Sequence, residues 1–270
     1  MITKLDLITT PYGFNFWTNS DDKSPFNDQI RKVNAYERGT CHVLNTILRN
    51  GDLFIDIGAH YGFLSMVASS MVGPNGKVYS FEPNQDSFEL LKINAYNTQF
   101  ANIHPACYAI SDKPGTATLY IDNESLGDSS LFPTTKAHKL QTTSVLTLTD
   151  VFDYIKSDSD PEALPLGRQY IVVVKIDVEG VEDKVISGGK RLFSSDDSPI
   201  IIYEHNIYTG ANPLNIQQLI TELNNEYIFF KLERNKSHVG KLVPIYVWPE
   251  HDNIFCFLPH HMDLVPKSLF

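Results

Sequence analysis

One run constrains the fold more than any other: Tyr170-Ile-Val-Val-Val-Lys-Ile-Asp177. Its continuous apolar stretch, with β-branched residues from Ile171 to Val174, leaves no polar face for water. A strand of that kind is buried on both sides, as in a parallel sheet with helices packed above and below. The rest of the chain supplies the other layers. Amphipathic helices are expected near 36–49 (Val43, Leu44, Ile47 and Leu48 on one face), 62–71, 85–97, 181–193 and from Pro213 onward. Asn84 or Asp86 is placed to cap the third of these. Short strands are expected at Leu53–Ile57, Val78–Glu82, Ile103–Ile110, Ile200–Glu204, 227–233 and 253–258. Gly115–Ile121 alternates like a hairpin or edge strand. Residues 122–140 lack periodicity and read as a long loop, and 158–167 as a solvated linker. The sum is an α/β chain, taken as one domain over 36–270 beneath an aromatic-rich N-terminal cap at 1–35.

Composition narrows the function classes. With 270 residues and a formal net charge of −10, the chain lacks the Lys and Arg surplus of a general nucleic-acid binder. Cys41, Cys107 and Cys256 are odd in number and widely spaced, against a disulfide framework or a cysteine zinc site. No stretch approaches the roughly 18 apolar residues of a membrane span, and no leader peptide is evident at Met1. A cytoplasmic protein is expected.

Three constellations carry chemistry. Asp56-Ile-Gly-Ala-His-Tyr-Gly62 leaves a strand and opens a helix, where glycines let a ligand approach the backbone. Glu82 ends the next strand, where an acid accepts hydrogen bonds from ribose hydroxyls. The middle glycine of a pyrophosphate turn is missing, since Ala59 and His60 stand between Gly58 and Gly62, and no Walker A sequence occurs. A ligand with ribose and adenine but no phosphate fits, and S-adenosylmethionine, with its ammonium and sulfonium, meets those demands. The second constellation is Lys175-Ile-Asp-Val-Glu-Gly-Val-Glu182. Asp177 faces the ligand crevice at a strand end, Glu182 and Asp183 suit the first turn of the next helix, and Lys175 suits an ion pair with a neighbouring acid. The third is Glu204-His-Asn206, where a carboxylate beside an imidazole makes His205 a candidate general base. His260 and His261 read as surface, and His104, His138, His238 and His251 carry no functional expectation.

Taken in order, these segments resemble the FkbM family of S-adenosylmethionine-dependent methyltransferases, over about Glu37 to Pro259. The markers are Gly51-Asp52, Asp56–Gly62, Phe81-Glu-Pro-Asn84, Ala109-Ile-Ser-Asp112, Gly127–Leu131, Leu148-Thr-Asp150, Lys175–Gly180 and Pro199–Glu204. The resemblance implies a Rossmann-like, doubly wound sheet of seven mostly parallel strands with the last antiparallel. It also implies methyl transfer to a hydroxyl of a sugar, glycolipid or secondary metabolite. By the same resemblance Asp56, Gly58 and Ala59 line the methionine end of the cofactor, with Gly62 closing that turn, and Glu37 reaches the methionine moiety. Glu82 binds the ribose, Asn84 or Pro83 sits near the adenine, and Ala109–Asp112 flanks it through Ser111 or Asp112. His60 and Tyr61 depart from the family pattern of Asn and a small aliphatic residue.

Within that reading Asp177 is the first candidate to take the acceptor's proton, with His205 second and Glu179 third. A divalent metal is conceivable at Asp177, Glu204 and Asn206 but is not expected, so no metal ligand is assigned. Residues 122–140 and Phe14, Phe16 and Trp17 are expected to shape a pocket for a small-molecule or carbohydrate acceptor. Two rival readings are a nicotinamide-dependent oxidoreductase and a non-catalytic nucleotide-binding module on the same fold.

Overall fold

A computed structural model describes residues 4–122, 125, 127, 129–133, 137–158, 171–194, 198–208, 213–234 and 239–270. The N-terminal segment forms a hairpin of β1 (Leu5–Thr9) and β2 (Asn15–Asn19) followed by α1 (Pro25–Val33). Then α2 (Arg38–Ile47), β3 (Leu53–Ile57), α3 (Phe63–Val72), β4 (Lys77–Phe81), α4 (Gln85–Tyr96) and β5 (Ile103–Ala106) alternate. A side sheet comprises β6 (Ala109–Ser111), β7 (Gly115–Ile121) and β8 (Lys139–Thr147). The chain continues through α5 (Leu148–Asp158), β9 (Val172–Ile176), α6 (Glu182–Gly188), α7 (Lys190–Phe193) and β10 (Ile200–Asn206). It ends with α8 (Pro213–Leu223), β11 (Ile228–Arg234), β12 (Val239–Pro244), β13 (His251–Phe257) and α9 (Pro259–Leu264).

The main sheet runs β12-β11-β13-β10-β9-β3-β4-β5. Strands β10, β9, β3, β4 and β5 are parallel, and β13 enters antiparallel between β10 and β11. Eight strands replace the seven expected, because β12 pairs onto the far side of β11. The expected strand Ile103–Ile110 is two strands in different sheets. Tyr108 N donates to Ala106 O across a tight turn, and Ala109–Ser111 then pairs with β8. β8 is not among the expected strands: its first two residues fall in the expected 122–140 loop and the rest carries no assignment, because its outward residues are polar and exposed and mask the alternation. Residues 123, 124, 126, 128 and 134–136 of the expected 122–140 loop, and nearly all of the 158–167 linker, lie outside the described residues.

β9 sits at the centre as its composition requires. Val173 packs on the face with Leu44, Val67 and Ile202, and Val172, Val174 and Ile176 on the face with Val185, Phe193 and Ile201. The helices that cover these faces leave the carboxyl ends of β3, β4, β9 and β10 at one edge, where the site forms.

The N-terminal segment joins the same body through both packing and polar contacts. Phe16 is fully buried and meets Phe26 and Phe63 edge-on, with ring centroids 6.2 and 5.2 Å apart. Buried Asn94 of α4 receives a hydrogen bond from Trp17 N (2.8 Å) and donates to Trp17 O (3.0 Å) and Tyr61 O (2.8 Å). One side chain thus ties β2 to the turn after β3. Replacing Asn94 with Ala strands two carbonyls and one N–H away from water. We expect a loss of about 2–4 kcal/mol, read by urea unfolding, whereas exposed Asn97→Ala should cost under about 0.5 kcal/mol.

Candidate active site at the carboxyl edge

The turn after β3 is set by contact with β9. Gly58 has φ +82°, and a Cβ there would lie 1.7 Å from the carbonyl oxygen of Asp177. Only glycine permits that approach, which brings the ends of the two strands together. Gly62, with φ +86°, starts α3, and a Cβ on it would strike Leu91. Asp56 points into the site from β3 and accepts from Ser65 Oγ at 2.5 Å. Burial pushes its carboxyl up to about 6.

Glu82, 6% exposed, joins two turns. The N–H groups of His60 and Asn84 each donate to it at 2.8 Å. Burial outweighs those donors and raises its carboxyl to about 7. Asn84, rather than Asp86, caps α4 by accepting from Asp86 N at 3.0 Å, while Asp86 pairs with Lys139.

Two cavities open at this edge. One, of about 500 Å³, is lined by Glu82, Pro83, Tyr108, Ala109, Ile110 and Leu119. The other, of about 940 Å³, is lined by Tyr36, Glu37, Asp56, Ala59, Lys175 and Glu204 among others. They share Gly58, His60, Gly127, Asp177 and Glu179. Four of the expected cofactor residues, Gly62, Asn84, Ser111 and Asp112, line neither cavity. The first two shape turns and caps, and the carbonyl of Ser111 packs on Gly188, so its neighbours Tyr108, Ala109 and Ile110 supply the wall.

Lys175 is fully buried, with Nζ 2.8 Å from Asp177 Oδ2 and 3.8 Å from Glu37 Oε1. Burial pulls its ammonium down, but the charges of Asp177 and Glu37 outweigh that and raise it. Glu37, in the left-handed region at φ +40°, also accepts from Asn253 Nδ2 at 2.6 Å. Glu182 accepts from the N–H groups of Val178 and Gly180, so it closes the turn, as its helix-start position suggested. Carboxylate oxygens of Asp177, Glu179 and Glu204 lie within 4.8 Å of one another, a spacing that a cation could bridge.

His205 is corrected. Strand alternation sends Glu204 and Asn206 to the cleft, and His205 to the opposite face, 5.2 Å from Trp248. Its imidazole lines neither cavity. The residue the sequence reading passed over is His251, whose Nε2 is 2.7 Å from Glu204 Oε1 at the cleft mouth. It arrives through the pairing of Asn206 with His251 between β10 and β13, a long-range contact with no local signal. Phe14, Phe16 and Trp17 pack into the core instead of lining the cleft, where Phe26, Tyr36 and Phe63 take that place.

The unusual His60-Tyr61 pair has a structural account. The two rings stack at 3.7 Å, Phe26 meets His60 edge-on at 4.6 Å, and Tyr61 donates to buried Asp22 at 2.9 Å. The pair therefore docks the N-terminal segment over the turn. Burial lowers the His60 imidazole to about 4 and keeps it neutral.

A family model described as the methyltransferase FkbM domain matches residues 56–227. Among solved structures, methyltransferase FkbM from Methylobacillus flagellatus KT aligns at 14% identity and TM-score 0.47, covering 77% of this chain and 44% of that one. A SAM-dependent O-methyltransferase from Thermotoga maritima aligns at 11% identity and TM-score 0.42, covering 95% and 93%. TYW2 from M. jannaschii, solved in complex with AdoMet, aligns at 13% identity and TM-score 0.42, covering 95% and 86%. This chain thus spans under half of the first of these proteins and most of the other two. No curated protein matches it.

The buried carboxyls make a pH prediction. Glu82 and Asp56 titrate above the ordinary 4.5 and 3.8, so the native chain keeps protons that the unfolded chain has released. Their contribution to the stability of the ligand-free protein therefore falls as pH rises from about 4 through about 7, opposite in sign to that of His60, whose lowered imidazole favours the fold as pH rises. By calorimetry, the melting temperature of Glu82→Gln should gain several degrees on the wild type between pH 5.5 and pH 7.5. A constant difference would contradict it.

Proposed function

The chain belongs to the FkbM methyltransferase family, and we propose that it moves a methyl group from S-adenosylmethionine to a hydroxyl oxygen of a sugar, glycolipid or secondary metabolite. The observation that carries the cofactor reading is Glu82, a buried carboxylate on the floor of an apolar slot beside the Gly58 turn. Carboxylates at Asp56, Glu82 and Asp177 would repel a pyrophosphate, whereas ribose hydroxyls and an ammonium suit them. When bound, S-adenosylmethionine supplies an electrophilic methyl group on a sulfonium.

The chain's own residues do the rest. Glu82 accepts from the ribose hydroxyls, and Pro83, Tyr108, Ala109 and Ile110 enclose the adenine. Asp56, Ala59 and Glu37 face the methionine end. The larger cleft takes the acceptor, with carboxylates for its hydroxyls and the rings of Phe26, Tyr36 and Phe63 for its apolar faces, a combination that suits a sugar. Asp177, in the wall shared by both cavities, accepts the proton of the attacking hydroxyl, with Glu179 beside it. The Lys175 ammonium keeps Asp177 aimed. Holding the two reactants in line supplies most of the acceleration, and the base adds about 10²–10⁴.

Calorimetric titration should show micromolar binding of S-adenosylhomocysteine and none of NAD. No binding of the former would remove the reading. Across a panel of hydroxylated acceptors, Asp177→Asn, which also removes a counter-charge of Lys175 and should lower stability by urea unfolding, should lower the turnover of the folded fraction by about 100-fold or more while changing S-adenosylhomocysteine affinity by under about threefold. Undiminished turnover would take the base role from Asp177.

A further inference from the structure

The two cavities have an unbalanced charge. Their described lining carries carboxylates from the start of α2 (Glu37), β3 (Asp56), β4 (Glu82), the turn after β9 (Asp177, Glu179) and β10 (Glu204). Against these stands one Lys or Arg, Lys175, and its ammonium is already engaged by Asp177 and Glu37. The other titratable groups facing in are His251 of β13, on Glu204, Tyr108, and Tyr36 and His60, the last two held neutral by burial.

Asp56 and Glu82 are the deepest carboxyls of this lining, 2% and 6% exposed. Each has hydrogen-bond donors but no ion-pair partner among the described residues. A carboxyl so placed holds its proton to higher pH than an exposed one, and an approaching cation helps it ionise. A second feature points to an absent ligand: Nε2 of His60, in the wall common to both cavities, is buried with no hydrogen-bond partner. Being neutral, that imidazole offers a polar contact without opposing a cation.

We propose that this site selects its cofactor by charge: cationic S-adenosylmethionine binds ahead of S-adenosylhomocysteine, whose sulfur is neutral, and in binding drives protons off Asp56 and Glu82. This rests on the reading of the cleft as a methyltransferase site and adds a property to it. When the methyl group passes to the acceptor oxygen, the sulfur keeps the bonding pair and loses its charge. The carboxyls then regain protons, and the grip on the product weakens. Product release is thereby built into the same groups that hold the donor.

The test is calorimetric titration of the wild-type protein with each compound at pH 5.5, 6.5 and 7.5. EDTA is present throughout, and two buffers of different ionisation enthalpy are used at each pH. S-adenosylmethionine should bind about tenfold more tightly at pH 7.5 than at 5.5 and release up to about one proton. S-adenosylhomocysteine should change by under about threefold. Asp56→Asn, at the methionine end, should flatten the difference, Glu82→Gln should weaken both compounds alike, and the wild-type comparison stands if a variant does not fold. Parallel pH profiles with a constant affinity ratio would overturn charge selection and leave the cofactor reading intact. Binding of neither compound would overturn both.

Discussion

A buried ammonium organises the functional edge of this protein. Lys175 reaches the end of the central strand inside a core of valines and isoleucines, where a lone charge could not stay. It is kept there by Asp177 on its own strand and Glu37 at the start of α2. Glu37 in turn holds Asn253 of β13. Three elements distant in sequence are thus registered by a single cation. Removing one member would leave the others buried without compensation, a defect of about 3–5 kcal/mol in comparable pairs. The pairing explains why the most apolar strand of the chain contains a lysine.

Around that pair, the backbone is shaped to bring acids together rather than apart. The absence of a Cβ at Gly58 lets the carbonyl of Asp177 approach the turn after β3, and Glu82 ties that turn to the end of β4 through two N–H groups. The consequence is an electrostatic field that disfavours phosphate-bearing ligands and favours cationic ones. Pro83, Tyr108 and Ile110 supply apolar walls to the smaller cavity beside that turn.

The N-terminal segment completes the cleft from the other side. Asn27 donates to the carbonyls of Asn19 and Asp22, Ser24 bonds Asp22, and Tyr61 bonds Asp22 from the cofactor turn. This polar knot sets Pro25 and Phe26 at the cleft wall. The His60-Tyr61 pair, which looked anomalous against the family pattern, is the receptor for that segment. Its aromatic rings carry the docking contact that an Asn and a small aliphatic residue could not make.

Local pattern carried much of this. The strand at Leu53–Ile57, the apolar centre at Val172–Ile176 and the glycine turn with its acid follow from periodicity and backbone sterics, which neighbouring residues decide among themselves. So does the placing of Asp56, Glu82 and Asp177, because strand ends of a parallel sheet share one edge. Tertiary structure alone decided the rest. β8 forms because β6 and β7 lie upstream to pair with it, and β12 as the return of a hairpin on β11, and half-polar strands show too little alternation to declare themselves. His205 turned from the cleft and His251 turned into it through the register of two antiparallel strands, where a shift of one residue reverses every side chain. The sequence by itself determined which residues could carry the chemistry. Only packing across long separations determined which of them meet, because contact between strand ends is a property of register and not of composition.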